Sequence, residues 1–199
     1  MKQTDKHAFQ ELPQDYSEYY HVNLQTDKKT ALFINTFGLI FMLALIALTH
    51  FAILPISYFF NMDDGLMIYF LRIAVMAASL IAYVILHELT HAAVMKFFGA
   101  KNLRFGFTGL YAFAGSDLDY LDKHAYLFVA MAPLVVWGII FTILLIFVPA
   151  LWFWIIAFLQ INNIVGSVGD LFVTFKFIRM PEDILVKDTG IEMFVYSKK

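Results

Sequence analysis

Five consecutive residues, His87-Glu88-Leu89-Thr90-His91, combine two metal-ligating side chains with a carboxylate. On an α-helix, residues four apart lie one turn from each other on the same face, so His87 and His91 project together. Two neutral imidazoles in this arrangement can occupy two of the positions around a Zn²⁺ ion. Glu88 can then lie beside the metal without binding it and accept a proton from a water molecule that the metal activates. The spacing therefore predicts half of a catalytic zinc site.

The segment around this motif is strongly hydrophobic and contains no helix breaker from Leu66 until Gly99. Histidine and glutamate are costly inside a hydrophobic segment, so an ionisable cluster at membrane depth is by default a functional hypothesis. The alternative is a membrane helix whose polar end merely reaches the interface. A second polar group at a matching depth, described below, favours the functional interpretation.

The composition indicates a protein that crosses a membrane several times. Of the 199 residues, 61% are hydrophobic and 15% are charged, and the mean hydropathy is +0.72. Such a chain cannot be covered by enough polar surface to form a soluble globule of this size. The absence of cysteine excludes disulfides, cysteine-ligated zinc and a thiolate nucleophile. The net charge of -2 and the lack of a basic patch argue against a nucleic-acid partner.

Four hydrophobic segments, residues 31–54, 66–98, 125–147 and 150–180, are long enough to cross a bilayer, for which about 20 apolar residues suffice. We therefore predict an all-α membrane protein with four transmembrane helices and a short interfacial hairpin-like loop. Its predicted parts are a cytosolic tail (residues 1–30), a transmembrane domain (31–180) and a second cytosolic tail (181–199). Basic residues flank the ends assigned to the cytosol, which places both termini of this multi-pass cell-membrane protein there: Lys28, Lys29, Lys101, Lys176 and Arg179.

The fourth hydrophobic segment carries the second polar group. Asn163, Ser167 and Asp170 share one helical face because they are spaced by four and then three residues. His87 and Asp170 both lie about 20 residues past the outer ends of their segments, or roughly 30 Å inward at ~1.5 Å per residue. Asp170 is therefore predicted to complete a His-His-carboxylate set, the number of protein ligands typical of catalytic zinc. The alternative is an interfacial carboxylate paired with Lys176 or Arg179.

Two other regions show strand patterns. Leu103, Phe105 and Phe107 alternate with smaller or polar residues, and Gly109 can turn the chain towards Tyr111 and Phe113, which predicts a hairpin in the interface near the site. In the C-terminal tail, residues 184–186 and 193–196 read as short strands around a turn at residues 188–190 that can cover the cytosolic mouth. Between these regions, three acidic residues are interpreted as a solvated turn before a helix, with a second metal site as the alternative: Asp117, Asp119 and Asp122.

H-E-L-T-H on a membrane helix, a long amphipathic loop and a later N-x-x-G-S-x-x-D resemble small bacterial membrane proteins of a zincin peptidase family. That family is in turn similar to the site-2 protease class of intramembrane metalloproteases. The resemblance implies metal ligation by His87, His91 and Asp170, with Glu88 as the general base. It also implies that Asn162 or Asn163 lies near the substrate, and that residues 103–113 hold an extended substrate by strand addition. Site-2 proteases usually carry L-D-G and prolines around the last ligand, whereas this chain has V-G-D-L at residues 168–171.

We therefore predict a zinc-dependent intramembrane endopeptidase that acts on a membrane protein or peptide. The main rival is a non-catalytic membrane adaptor or immunity-type protein with a structural zinc site. Structural zinc sites normally have four protein ligands, so a fourth ligand such as His124 would favour that rival. A second rival is a metal transporter, but the internal repeats typical of transporters are not recognisable in this sequence.

Overall fold

The computed structural model describes residues 7–23, 26–109 and 112–199, and most of them form helices. The described helices are α1 (Lys28–Ala52), α2 (Ser57–Phe60), α3 (Leu66–Phe97), α4 (Lys123–Phe147), α5 (Ala150–Gly166) and α6 (Val168–Ile178). Local signals account for several helix ends. The side chains of Asp27 and Asp122 cap α1 and α4 by accepting hydrogen bonds from backbone amides of the first turn. After α3, Gly99 adopts a φ of 100°, which suits glycine and turns the chain away from the helix axis.

Four helical segments are long and apolar enough to span a membrane: α1, α3, α4, and α5 together with α6. The four predicted hydrophobic segments therefore correspond to helices. Large apolar side chains remain exposed along the first three, among them Phe37, Ile81 and Ile139. Such exposure is unfavourable in water but expected for a surface in contact with lipid. The assignment of the two termini to the cytosol stays a prediction.

The prediction of an all-α protein is wrong, because the chain also contains two antiparallel β-sheets. The strands are β1 (Ala8–Phe9), β2 (Tyr16–Asn23), β3 (Leu103–Phe107), β4 (Ala112–Ser116), β5 (Tyr120–Asp122), β6 (Leu185–Asp188) and β7 (Glu192–Lys198). One sheet has the order β1-β5-β6-β7-β2 and the other consists of β3 and β4. The five-stranded sheet draws its strands from the N-terminal segment, the α3–α4 connection and the C-terminal segment, so both terminal segments lie at the same end of the bundle.

The strand patterns recognised in the sequence correspond to the two hairpins of the structure. In the first, Leu103 pairs with Ser116 and Phe107 with Ala112, while Tyr111, predicted to follow the turn at Gly109, lies outside the described residues. In the second, β6 pairs with β7 around the predicted turn. The pairing of β2 with β7, from Tyr16 opposite Lys198 to Asn23 opposite Glu192, was not predicted. Its two strands are about 170 residues apart in the chain, and no local pattern indicates such a partner.

The interpretation of the acidic residues after β4 as a solvated turn is wrong for Asp119, which is only 2% exposed. Its carboxylate accepts hydrogen bonds from the backbone amides of Lys101 and Asn102 at 2.9 and 2.7 Å and from the Ser116 hydroxyl at 2.8 Å. Burial by itself raises the pKa of Asp119, but the hydrogen bonds from Asn102, Ser116 and their neighbours outweigh it and hold the pKa below its usual range. Asp119 thus joins the end of α3 to β4.

The five-stranded sheet packs on the end of the helical bundle that carries the motif. The shared core contains side chains from α3, α4, α6, β6 and β7, including Met95, Val129, Phe177, Val186 and Val195, each at most 2% exposed. The buried Lys123 ammonium ties α4 to the end of α6 by donating to the carbonyls of Ile178 and Met180 at 3.1 and 2.8 Å. These contacts fix α3, α4 and α6 relative to one another where the polar residues lie.

Candidate metal centre

The two histidines of α3 and the aspartate of α6 converge at the sheet end of the bundle. The Nε2 atoms of His87 and His91 are 3.2 Å apart. The Asp170 carboxylate reaches both of them, with Oδ2 at 3.5 Å from His87 Nε2 and Oδ1 at 3.6 Å from His91 Nε2. Three ligand atoms, one from each residue, lie within 4.8 Å of one another. The inference from sequence that the two segments carry these residues at one depth therefore agrees with the geometry, and Asp170 faces the histidines rather than Lys176 or Arg179.

Hydrogen bonds to the other ring nitrogens determine which histidine nitrogens are free. His91 Nδ1 is 2.9 Å from the Val129 carbonyl, which can only accept, so Nδ1 carries the proton. His87 Nδ1 is 3.0 Å from the Tyr83 hydroxyl, and this hydroxyl donates its own hydrogen to Asn163 Oδ1 at 2.8 Å. His87 Nδ1 must then be the donor to Tyr83. In the neutral form, both imidazoles thus present unprotonated Nε2 atoms to the site, as metal-ligating histidines do.

The three side chains fit a zinc ion. In the neutral form of both histidines, two Nε2 lone pairs and a carboxylate meet with no proton between them, and Asp170 Oδ2 is buried without a hydrogen-bond partner. Such an arrangement is repulsive unless a cation occupies its centre. The 3.2 Å separation of the nitrogens is close to the edge of a tetrahedron with ~2.05 Å metal–nitrogen bonds, ~3.3 Å. The side chains are largely shielded from solvent, with 12% of each histidine and 25% of Asp170 exposed.

Glu88 lies beside this group without belonging to it. Its Oε2 atom accepts a hydrogen bond of 2.8 Å from the backbone amide of Ala114 on β4, which leaves the second carboxylate oxygen for other partners. Both Glu88 and the three candidate ligands line a cavity of about 260 Å³. A larger groove of about 740 Å³ runs between α1 and α6, but its lining is almost wholly apolar and includes none of these four residues.

The turn between β6 and β7 closes one side of the cavity. Asp188, Gly190 and Met193 line it together with residues of α3 and α4. Burial raises the pKa of Asp188, whose Oδ2 accepts a hydrogen bond of 2.7 Å from the Tyr126 hydroxyl. Gly190 has a φ of 81°, and a Cβ atom there would lie 2.3 Å from the Phe113 ring of β4. Glycine is therefore required for the close approach of this turn to β4.

Other candidates from the sequence lie away from the cavity lining. Asn163 is fully buried, and its amide donates to the Leu134 carbonyl at 3.1 Å while its oxygen accepts from Tyr83. Neither Asn162 nor Asn163 is among the residues that line the cavity, and substrate contact by either stays a prediction. His124 packs against the Phe128 ring with centroids 4.9 Å apart. Among the described residues it is not a fourth member of the ligand group.

Sequence reasoning did not identify Tyr83, Ala114, Tyr126 or Asp188. Tyr83 precedes His87 by one helical turn, and this i, i+4 spacing is a signal that was available. The roles of Ala114 and Asp188 depend on backbone positions of β4 and β6 relative to the helices. The amide of an alanine has no signature in the sequence, so only the tertiary structure identifies it as a partner of Glu88.

The site combines two imidazoles, a carboxylate ligand and an adjacent glutamate inside a helical bundle. This combination defines a candidate membrane metallopeptidase. A family model described as "Putative zincin peptidase" matches residues 80–185, slightly more than half of the chain. The chain belongs to this family. The matched region contains both the motif on α3 and Asp170 on α6. A search of curated proteins and a search of solved structures each found no match.

Proposed function

We propose that this protein is a zinc-dependent intramembrane endopeptidase, which hydrolyses peptide bonds in or near the membrane. The observation that carries the proposal is the convergence of His87, His91 and Asp170 beside Glu88 on the wall of one cavity. The membership in a zincin peptidase family supports metallopeptidase chemistry, and the four long apolar helices support a location in the membrane. The proposal includes a similarity to site-2 proteases, although the V-G-D-L context of Asp170 differs from the L-D-G of that class.

A zinc ion held by His87, His91 and Asp170 would polarise the substrate carbonyl and lower the pKa of a water molecule. The residues of the chain supply the remaining functions. Glu88 accepts the proton of the attacking water and later delivers it to the leaving amine. The Ala114 amide holds one carboxylate oxygen of Glu88 and so fixes the direction of the other. Tyr83 and the Val129 carbonyl keep both Nε2 atoms unprotonated.

The substrate is proposed to bind as an added strand along β4. Ala114 is paired with Phe105 of β3, yet its amide points away from β3, towards Glu88. In an antiparallel ladder, alternate residues present both backbone groups to the same edge, so Ala112 faces the site as well. Because Glu88 accepts the hydrogen of the Ala114 amide, an extended peptide would pair with this edge through Ala112, beside the candidate ligands. The proposed substrate is therefore a membrane protein or peptide with a locally unwound segment.

The rival function, a membrane adaptor or immunity-type protein with a structural zinc site, requires a closed set of four protein ligands. Within the described part of the chain, the ligand group has three members. His124, whose ligation would have favoured this rival, packs against the Phe128 ring and does not belong to the group. The ligand number thus favours hydrolysis over a structural role.

The proposal is tested with Glu88→Gln, which keeps the ligands but removes the proton acceptor. We expect purified wild-type protein and Glu88→Gln to retain similar zinc, while His91→Asn loses most of it. In cells, cleavage of a captured membrane substrate should fall at least ~100-fold in Glu88→Gln, the typical contribution of a general base. The exposed Glu18 provides the matched control, and Glu18→Gln should behave as wild type.

Two results would contradict the proposal. One is wild-type protein that contains no zinc after purification and does not acquire it on titration. The other is a Glu88→Gln variant that processes membrane proteins as fast as wild type. Trapping of the same uncleaved membrane protein by Glu88→Gln, but not by Glu18→Gln, would support it.

A further inference from the structure

Helix α4 carries a buried proline, Pro133, in its interior. In an α-helix the amide of each residue donates to the carbonyl four residues earlier, but proline has no amide hydrogen. The carbonyl of Val129 is therefore deprived of its helical donor. Val129 is 1% exposed, so bulk water does not replace that donor. In a membrane, an unpaired carbonyl costs several kcal/mol, and another group has to supply the hydrogen.

The group that supplies it is the Nδ1–H of His91, 2.9 Å from the Val129 oxygen. This bond has two consequences for a metal ligand. It holds the plane of the imidazole, and it places the proton on Nδ1 so that Nε2 stays available. His87 has a different arrangement, since the hydroxyl of Tyr83 performs the same task from the same helix. Of the two histidines, only His91 bonds to a main-chain carbonyl of α4. That carbonyl, of Val129, lacks a helical donor because Pro133 has no amide hydrogen.

We propose that Pro133 is a positioning residue for His91: its missing amide releases the Val129 carbonyl, which then fixes the orientation and tautomer of this ligand. The inference rests on the proposed zinc function. Any other residue at 133 would offer an amide hydrogen to the same oxygen. The carbonyl has two lone pairs and can accept both donors, so competition weakens the His91 bond rather than abolishing it.

The first measurement needs no variant. In metal-free wild-type protein, at a pH high enough for the imidazoles to be neutral, ¹⁵N NMR of the histidine side chains should show His91 protonated on Nδ1 alone, with the signal assigned by its absence in His91→Asn. In Pro133→Ala, we expect a mixture of the two neutral tautomers at His91 and an unchanged Nδ1 signal from His87. The zinc affinity of this variant, measured by chelator competition, should fall about tenfold, the lower end of the effect of removing a partner of a metal-ligating histidine.

Pro149→Ala is the matched control, because Pro149 caps the start of α5 and its loss restores no amide to the Val129 carbonyl. This variant should keep both the His91 tautomer and the zinc affinity of wild type. Pro133→Ser should lower the zinc affinity and disturb the His91 tautomer more than Pro133→Ala does, since a helical serine hydroxyl also donates to the carbonyl four residues earlier.

The inference is overturned if the neutral form of wild-type His91 carries its proton on Nε2, or if Pro133→Ala matches wild type in both tautomer and zinc affinity. The wild-type measurement can therefore overturn the inference even if the Pro133 variants do not fold. A wild-type protein that binds no zinc would refute the proposed function, whereas the tautomer comparison would still test the role of Pro133.

Discussion

Replacing Tyr83 with phenylalanine removes one hydroxyl from between His87 and Asn163 while preserving the aromatic ring. This hydroxyl takes part in two hydrogen bonds, at 3.0 Å to His87 Nδ1 and at 2.8 Å to Asn163 Oδ1. Tyr83 is 4% exposed and Asn163 is fully buried, so bulk water does not substitute for the lost contacts. The variant leaves a buried donor and a buried acceptor without partners, and it frees the tautomer of His87.

The expected magnitudes follow from these contacts. Each buried polar group left unpaired costs about 1–3 kcal/mol, and partial relaxation of the site suggests a loss of about 2–4 kcal/mol in the free energy of unfolding. Loss of a hydrogen-bond partner of a metal-ligating histidine typically weakens metal binding about 10–100-fold. That range corresponds to ~1.4–2.7 kcal/mol of binding free energy. Tyr83→Phe should therefore weaken zinc binding measurably without abolishing it.

Zinc affinity in detergent solution, measured by competition with a chromophoric chelator, tests this prediction against a matched control. Tyr126 lines the same cavity, and its hydroxyl bonds Asp188 rather than a candidate ligand. Tyr126→Phe should lower the thermal unfolding temperature but leave zinc affinity within about twofold of wild type, because the histidine contacts are intact. Equal zinc affinities for Tyr83→Phe, Tyr126→Phe and wild type would refute the assignment of Tyr83 as the partner that orients His87.

Two further predictions concern the contacts that hold the site end together. Asp119→Asn should lower the free energy of unfolding by about 2 kcal/mol, because the carboxylate accepts bonds from two amides and a hydroxyl. Because folding lowers the pKa of Asp119, its contribution to the free energy of unfolding is complete above about pH 4 and is lost as the pH falls through the folded pKa. Thermal unfolding of Asp119→Asn should therefore lack this pH-dependent loss of stability. Lys123→Met should cost about 2–3 kcal/mol by removing the donor to the Ile178 and Met180 carbonyls, whereas the exposed Lys198→Met should change the unfolding temperature little. An Asp119→Asn profile that parallels wild type below pH 4, or equal unfolding temperatures for the two lysine variants, would contradict these assignments.

The candidate ligand set could be inferred from the sequence because its determinants are local. The spacing of His87 and His91 places them on one face of any helix, and long apolar runs define the segments that can cross a bilayer. The depth of Asp170 followed from counting residues at a constant helical rise. The count predicted that His87 and Asp170, some 80 residues apart in the chain, lie at one level. In the structure the Asp170 carboxylate oxygens are 3.5 and 3.6 Å from the Nε2 atoms of His87 and His91.

The polar terminal segments illustrate what local patterns do not specify. Residues 16–23, with the sequence YSEYYHVN, read as a polar tail at the membrane surface, yet they form β2 and pair with β7. A strand is stabilised by its neighbours, and here the neighbour is at the opposite end of the chain. The three acidic residues after β4 show the same limit, because Asp119 is buried only once the ends of α3 and β4 come together.

The sequence by itself determined the four long helices, the chemical types in the candidate site and the common level along the helices at which they meet. Only the tertiary structure decided how each group is oriented: Tyr83 and Asn163 behind His87, the Val129 carbonyl behind His91, and the Ala114 amide on Glu88. Helical spacing and hydrophobicity are properties of neighbouring residues and can be read along the chain. The hydrogen-bond partner of a buried polar group is whichever distant backbone or side chain packs against it, and that depends on the complete fold.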